Sequence, residues 1–182
     1  MATLALGIFL WWAAHLFKRV APERRAAMGD RGRGPVALGI AVGVILMIIG
    51  YRSAEVYDLW LAPDFFLHIN NLLVLIAIYM MSPAPKKGVI LNGMRHPQLI
   101  GFTLWAVAHL MVNSDPASLL LFGGLAAWAI VEITVINRAE PEWTRPEKGT
   151  IAKDAMFFAA SIVLMGVIGM IHGYFGPSPF PA

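Results

Sequence analysis

The chain has 182 residues, of which 58% are hydrophobic and only 14% are charged, and its formal net charge is +3. Soluble domains carry about 25% charged residues, so this composition excludes an ordinary soluble domain and indicates a membrane protein. The sequence has no cysteine, which excludes disulfides, thiolate catalysis and thiolate metal ligands. Its basic residues lie in loops beside apolar segments, which fits membrane topology and argues against a nucleic-acid partner.

Six apolar segments follow one another along the chain, at about residues 2–17, 35–51, 63–81, 97–113, 116–137 and 151–174. Each approaches or reaches the length needed to cross a bilayer core of about 30 Å. The first has neither a basic start nor a small-residue cleavage site, so we expect it to be retained as an anchor. We therefore predict an all-α, polytopic membrane protein with six transmembrane helices in one bundle. It forms one domain over residues 1–176, followed by a short proline-rich tail, 177–182.

The loop charges predict the orientation of these helices. Residues 18–33 contain six basic and two acidic residues, and residues 86–95 contain three basic residues and no acid. Loops rich in Lys and Arg stay on the cytoplasmic side. We therefore expect the first, third and fifth loops to be cytoplasmic and both termini to lie on the opposite side of the membrane.

The fourth segment carries a polar and aromatic stripe. Pro97 favours the first turn of a helix, because its missing N–H costs nothing there. A helix advances about 100° per residue, so one arc carries Gln98, Phe102, Trp105, His109 and Asn113. Such a stripe on an apolar helix is expected to face partner helices or a ligand.

Three histidines, His15, His68 and His109, lie within apolar segments. Ionisable side chains at membrane depth are costly and commonly functional, although a single buried histidine is more often a hydrogen-bonded structural residue. Imidazole suits iron, and helical bundles build cofactor sites from side chains on facing helices. Because the chain has no cysteine and few buried carboxylates, haem with histidine ligands is the expected cofactor.

Other polar and small residues in the apolar segments are expected to be structural. Asn70 and Asn71 are expected to hydrogen-bond between helices. Two GxxxG pairs are expected to be helix-packing surfaces, namely Gly39 with Gly43 and Gly169 with Gly173.

Residues 90–109, ILNGMRHPQLIGFTLWAVAH, resemble the signature of the family that joins bacterial NnrU proteins and plant cis-ζ-carotene isomerase. The residues that carry the resemblance are Arg95, His96, Pro97, Gln98, Gly101, Trp105, Ala108 and His109. The stretch 113–129, the first segment and the start of the third segment are also similar to the family. The resemblance therefore covers about residues 1–138.

The resemblance implies a haem b site with His15 and His109 as the metal ligands. Further candidates for binding the cofactor are His68, Trp105, Gln98, Arg95 and His96. The isomerase has a cysteine three residues before its second ligand, where this chain has Ala106, and a histidine pair in its fifth helix that is absent here. These departures favour the NnrU branch, which is associated with denitrification and nitric oxide metabolism, over carotenoid isomerase activity. In either branch the expected partners are the bilayer and an apolar small molecule, while the substrate and the oligomeric state stay open.

The predicted topology is in tension with this ligand pair. It places His15 in the cytoplasmic half of the membrane and His109 in the outer half, about 10 Å apart in depth at 1.5 Å per residue. His68 lies nearer the level of His109, so it remains a rival ligand or a pocket residue.

Two other classes of function remain open. Arg95 and His96 also resemble the cofactor motif of isoprenylcysteine and phospholipid methyltransferases, in which they would hold S-adenosylmethionine. Those enzymes have an acidic pair after the next helix, which Glu140-Pro141-Glu142-Trp143 matches poorly. The third class is a non-enzymatic membrane partner subunit, in which the histidines serve structure alone.

Overall fold

The computed structural model describes residues 1–180, and in this range the chain is helical and contains no strand. The elements in chain order are α1 (Ala2–Val20), α2 (Pro22–Ala27), the 3-10 turn η1 (Gly29–Gly32), α3 (Arg33–Arg52), α4 (Phe66–Met81), α5 (Ala84–Lys87), α6 (Pro97–Val112), α7 (Pro116–Ala139) and α8 (Ile151–Phe175). The six long helices, α1, α3, α4, α6, α7 and α8, coincide with the six predicted segments to within three residues at each end. The all-α prediction is therefore confirmed, and the three short elements were not predicted.

Three helical stretches within residues 1–180 are long and apolar enough to cross a membrane: Gly29–Arg52, Pro116–Ala139 and Ile151–Phe175. Helices α4 and α6 are also apolar but have 16 residues each. The 19-residue helix α1 has Lys18 and Arg19 in its last turn. The structure thus supports a membrane protein, and the count of six spans stays a prediction.

The chain packs as two compact units. Unit 1 contains Met1–Leu61 and Asn113–Pro141, and unit 2 contains Ala62–Val112 and the chain from Glu142 onward. Each unit is formed from two separate stretches of sequence. The prediction of one domain over residues 1–176 stays a prediction.

In unit 1, α1 and α3 run antiparallel with their backbones in close contact. A Cβ atom on Gly7 would lie 2.7 Å from both the Gly43 carbonyl oxygen and the Met47 nitrogen. A Cβ atom on Gly50 would overlap the backbone of Leu4. Small residues permit this approach, which is a common way for apolar helices to associate in membranes. Gly43 of the first GxxxG pair therefore packs helices, as predicted.

Helix α7 packs against α1 and α3 in the same unit. Its N-cap residue, Asp115, accepts a hydrogen bond from the Ser118 backbone N–H at 2.9 Å, and Pro116 occupies the first turn. These are the residue types that helix N-termini favour, because a carboxylate satisfies N–H groups that lack an intrahelical partner. Tyr51 at the end of α3 bonds the Ser118 hydroxyl at 2.8 Å. The start of α7 is thereby fixed to the end of α3.

In unit 2, α4 and α6 form the main antiparallel pair. Gly101 faces α4 so closely that a Cβ atom there would lie 2.9 Å from both the Ala77 carbonyl oxygen and the Met80 Cβ. Helix α8 packs against α4 near its own first turn, where Asp154 is only 2% exposed. The carboxylate accepts hydrogen bonds from the Tyr79 hydroxyl at 2.6 Å, the Val89 N–H at 2.6 Å and the Ile90 N–H at 3.3 Å.

The described part of the C-terminal tail, residues 177–180, folds back along α8. The Asn71 amide donates to the Pro179 carbonyl at 2.8 Å, and His172 Nδ1 bonds the Pro177 carbonyl at 2.9 Å. The Phe180 ring lies over Gly169, where a Cβ atom would overlap it. Pro181 and Ala182 of the predicted tail lie outside the described residues.

This arrangement corrects two expectations from the sequence. The second GxxxG pair, Gly169 and Gly173, accommodates the tail and not a neighbouring helix, because the missing side chains leave room for Ser178 and Phe180. The Asn71 amide, expected to bond between helices, donates to the tail carbonyl instead. A carbonyl held against an apolar helix requires a donor, since an unpaired polar group there is costly.

Candidate functional site

In unit 1, His15 lies in an aromatic cluster formed by α1 and α7. Its Nδ1 is 2.8 Å from the Trp11 carbonyl oxygen, one turn earlier in the same helix. The His15 ring is 4.2 Å from the Trp11 ring centroid and 4.7 Å from that of Trp128 on α7. The two indoles meet edge to face at 5.2 Å. Two tryptophans thus border the imidazole ring and fix its orientation.

A polar network continues from this cluster toward the ends of α1 and α7. Arg19, one turn after His15, forms an ion pair with Glu140 at 2.8 Å. Arg19 also interacts electrostatically with Glu132, one turn after Trp128. The Glu132 Oε2 atom is buried and has no hydrogen-bond partner among residues 1–180. Unit 1 therefore combines an imidazole, two indoles and a half-buried carboxylate along one helix contact.

Trp12, beside this cluster, has a different role. Its indole N–H donates to the Gly124 carbonyl oxygen of α7 at 3.0 Å. This bond joins α1 to α7 and gives the indole N–H an acceptor, since an unpaired N–H is costly in an apolar environment. An open apolar groove of about 580 Å³ runs along the same helix, and all the residues that line it belong to α1, among them Trp12, Ala13, Leu16 and Phe17.

In unit 2, His109 repeats the local geometry of His15. Its Nδ1 is 2.9 Å from the Trp105 carbonyl oxygen, again one turn earlier in the same helix. The His109 ring is 4.9 Å from the Trp105 ring, which in turn is 5.2 Å from the Phe102 ring. The aromatic part of the predicted stripe is therefore present on α6. Gln98, at its start, is exposed, and α6 ends at Val112, before Asn113.

The hydrogen bond from Nδ1 to a backbone carbonyl determines which nitrogen carries the hydrogen in the rings of His15 and His109. A backbone carbonyl can only accept a hydrogen bond, so Nδ1 is the donor in His15 and in His109. In the neutral ring Nε2 then carries the lone pair that can coordinate a metal. Metal-ligating histidines commonly have this second hydrogen bond from the other nitrogen to a carbonyl or carboxylate. The donor chemistry of both residues therefore fits an axial haem ligand.

The structure does not give His68 the same surroundings. Its side chain is exposed near the start of α4 and makes no hydrogen bond or ring contact among residues 1–180.

Arg95 and His96 are half-buried and precede α6. The first turn of α6 is joined to this loop by a bond of 3.0 Å from the Ile100 N–H to the His96 carbonyl. His15 belongs to unit 1, while His68, these two residues and His109 belong to unit 2.

Two polar clusters in unit 2 were not predicted from the sequence. One is the buried Asp154 with its three donors, described above. The other centres on Asn92, which is 1% exposed and bonds the side chain of Arg145 at 2.8 Å. The available signals were an acid in the first turn of the sixth segment, where the helix dipole favours it, and the Asn92-Gly93 dipeptide, which favours a turn.

Within residues 1–180 there is no group of three or more His, Cys, Asp or Glu side chains placed to hold a metal ion. Haem iron takes only one or two axial ligands from a protein, so a haem site does not require such a group.

Comparison with protein families gives a match to the model described as NnrU protein over residues 3–179, almost the whole chain. The chain belongs to the NnrU family. The resemblance in the sequence is therefore confirmed for this family, and it extends through α8 as well as the earlier helices. Comparisons of this NnrU-family protein with curated proteins and with solved structures gave no match.

Proposed function

We propose that this NnrU-family protein binds haem b in the membrane and that His15 and His109 are the residues that would hold its iron. The observation that supports this most directly is the repeated arrangement on α1 and α6, in which a histidine donates from Nδ1 to the carbonyl of a tryptophan one turn earlier. The same bond places each imidazole ring beside that of the tryptophan. The ring centroids are 4.2 Å apart and the planes tilted by 36° for His15, and they are 4.9 Å apart and tilted by 51° for His109.

The tryptophans have two roles in this proposal. Their carbonyl groups hold the Nδ1 hydrogen, which keeps Nε2 available as the basic nitrogen of each ring. Their indoles, with Phe102 and Trp128, provide flat apolar surfaces that exclude water from the imidazoles. A haem would supply one-electron redox chemistry and a Lewis-acidic iron at this place. His68, exposed and without these neighbours, is a weaker candidate ligand.

The activity proposed for the site is haem-dependent chemistry on an apolar molecule, with cis–trans isomerisation of a carotenoid-like polyene as one form. The support for an apolar ligand is the open apolar groove along α1, which Leu16 and Phe17 line but His15 does not. The absence of a cysteine at Ala106 favours the branch associated with denitrification and nitric oxide metabolism.

Absorption spectroscopy of purified protein tests the cofactor. Protein from haem-replete cells is expected to show a Soret band, which His109→Ala should largely abolish. His15→Ala should abolish the band or convert the iron to a high-spin form, because one ligand is lost. His68→Ala is the matched control and should leave most of the band. A wild-type protein that stays colourless after reconstitution with haem contradicts the proposal.

We further propose that the protein lies in the inner membrane of a bacterium with six spans and both termini periplasmic. The support is the excess of basic residues in 18–33 and 86–95, in loops that follow α1 and α4. Reporter fusions after Arg33 and Lys87 should behave as cytoplasmic, and a fusion at the C-terminus as periplasmic. A cytoplasmic C-terminal reporter contradicts the six-span topology.

A further inference from the structure

Asn92 fixes the side chain of Arg145 in the polar region that joins α6 and α8 of unit 2. The Asn92 amide donates to the carbonyl oxygens of Pro146 and Glu147, both at 3.1 Å, and its Oδ1 accepts from Arg145 Nε at 2.8 Å. Asn92 is 1% exposed. Both amide hydrogens and the oxygen are thus engaged, so the asparagine determines the path of residues 145–147 and holds the guanidinium by its inner nitrogen.

The two terminal nitrogens of the guanidinium form no hydrogen bond with an acceptor among residues 1–180. Arg145 is exposed on the surface of unit 2. The group lies beside Gly93, where a Cβ atom would be 3.4 Å from Nη2 and 3.6 Å from Cζ. A guanidinium presents its terminal N–H groups as a flat fork that matches the oxygens of a phosphate or carboxylate.

Two other arginines of the chain use their terminal nitrogens on carboxylates. Arg19 pairs with Glu140 at 2.8 Å, and Arg33 pairs with Asp30 at 3.0 Å. Arg145 has no carboxylate partner in the part of the chain that the structure describes. Arg145 is therefore held by its Nε, while its terminal N–H groups remain available to a ligand.

The surroundings of Arg145 are positively charged. Two backbone bonds, from Gly149 N–H to Gly88 O at 3.0 Å and from Thr150 N–H to Lys87 O at 3.2 Å, bring the two basic loops of unit 2 together. Residues 86–95 and 142–154 contain six basic and three acidic residues. One of the three acids, Asp154, is buried and occupied by its own donors. The surface charge near Arg145 is thus a net positive one.

We propose that Arg145, held by Asn92 over Gly93, binds a phosphate group at the membrane surface. This region lies where the apolar helices α6 and α8 begin, which is the level of lipid headgroups for helices that span the bilayer. The phosphate belongs either to an anionic lipid headgroup or to a soluble phosphate compound, and the same fork of N–H groups binds both. This site does not depend on the proposed haem ligands.

The test is a binding titration of the full-length protein in detergent. The probes are short-chain phosphatidylglycerol, phosphatidylcholine of equal chain length, and inorganic phosphate. Phosphatidylglycerol is expected to bind, and Arg145→Gln should weaken it about tenfold, because one charge-assisted bidentate contact is lost. Arg145→Lys keeps the charge but loses the fork, so it should recover only part of the affinity.

Two further variants separate a specific site from general attraction. Arg31→Gln removes the same charge from an exposed loop position in unit 1 and should leave binding unchanged. Gly93→Val keeps every charge but places a side chain against the guanidinium, and should weaken binding severalfold. This variant decides the question if Arg145→Gln fails to fold.

The outcomes distinguish the sources of the phosphate. Binding of phosphatidylglycerol alone identifies a lipid headgroup site, whereas inorganic phosphate competing at Arg145 identifies a soluble ligand. Equal losses in Arg31→Gln and Arg145→Gln, or wild-type affinity in both Arg145→Gln and Gly93→Val, overturn the proposal.

Discussion

The hydroxyl of Tyr79 at the end of α4 lies 2.6 Å from Oδ1 of Asp154 in the first turn of α8, although 75 residues separate them in sequence. The same carboxylate binds the backbone N–H groups of Val89 and Ile90. Asp154 therefore holds together the end of one helix, the start of another and the loop that leads to α6. Its burial makes each of these bonds strong, because water does not compete for the groups.

Replacing Asp154 should strongly destabilise unit 2. Asp154→Ala leaves the Tyr79 hydroxyl and two backbone N–H groups without their acceptor, which should cost on the order of 3 kcal/mol in the free energy of unfolding. Tyr79→Phe removes one donor and should cost about 1.5 kcal/mol. Unfolding in detergent, followed by circular dichroism, measures both. Asp64→Asn, at an exposed acid of the same unit, is the control, and an equal effect of the control contradicts the assignment.

The close contact of α1 and α3 predicts a contrast between two identical substitutions. Gly7→Ala places a methyl group 2.7 Å from the Gly43 carbonyl and should destabilise unit 1 by roughly 2 kcal/mol, because two backbones must separate. Gly123→Ala on α7 meets nothing within 4 Å and should be neutral or slightly stabilising, since alanine favours helix. Thermal unfolding of the two variants checks this, and similar unfolding temperatures would disprove the contact.

The tail should detach from α8 when the residues that it contacts, Gly169 and Asn71, are replaced. Because the chain has no cysteine, Pro177→Cys provides a single position for a spin label and keeps the backbone carbonyl that bonds His172. Gly169→Ala places a methyl group against the Phe180 ring, and Asn71→Leu removes the donor to Pro179, so both should increase the mobility of the label. Gly166→Ala, in the same helix with nothing nearby, should leave the spectrum unchanged. Identical spectra for all variants would show that the tail is not seated there.

Calorimetry tests the methyltransferase alternative. Arg95 and His96 lie in the loop before α6. We expect them to stabilise the start of this helix and not to bind a nucleotide. S-adenosylmethionine should therefore give no heat of binding at micromolar concentrations. Micromolar binding that is lost in His96→Ala would instead support the methyltransferase function.

The sequence alone determined the helices and the local geometry of the candidate ligands. Long apolar runs bounded by residues such as Pro97, Asp115 and Thr150 can satisfy their backbone groups only as helices. Within a helix, residues four apart share a face, so the Trp105 and His109 contact follows from spacing. The family signature lies in these same local patterns and was readable for the same reason.

Only the tertiary structure decided which distant groups meet. The partners of Asp154, Asn92 and Asn71 lie in other loops or helices, and no periodicity relates positions so far apart. The two GxxxG pairs look alike in sequence, yet Gly43 packs a helix and Gly169 accommodates an aromatic ring. A glycine specifies only that space is available, whereas what fills the space depends on where the rest of the chain returns, and this is a property of the folded molecule.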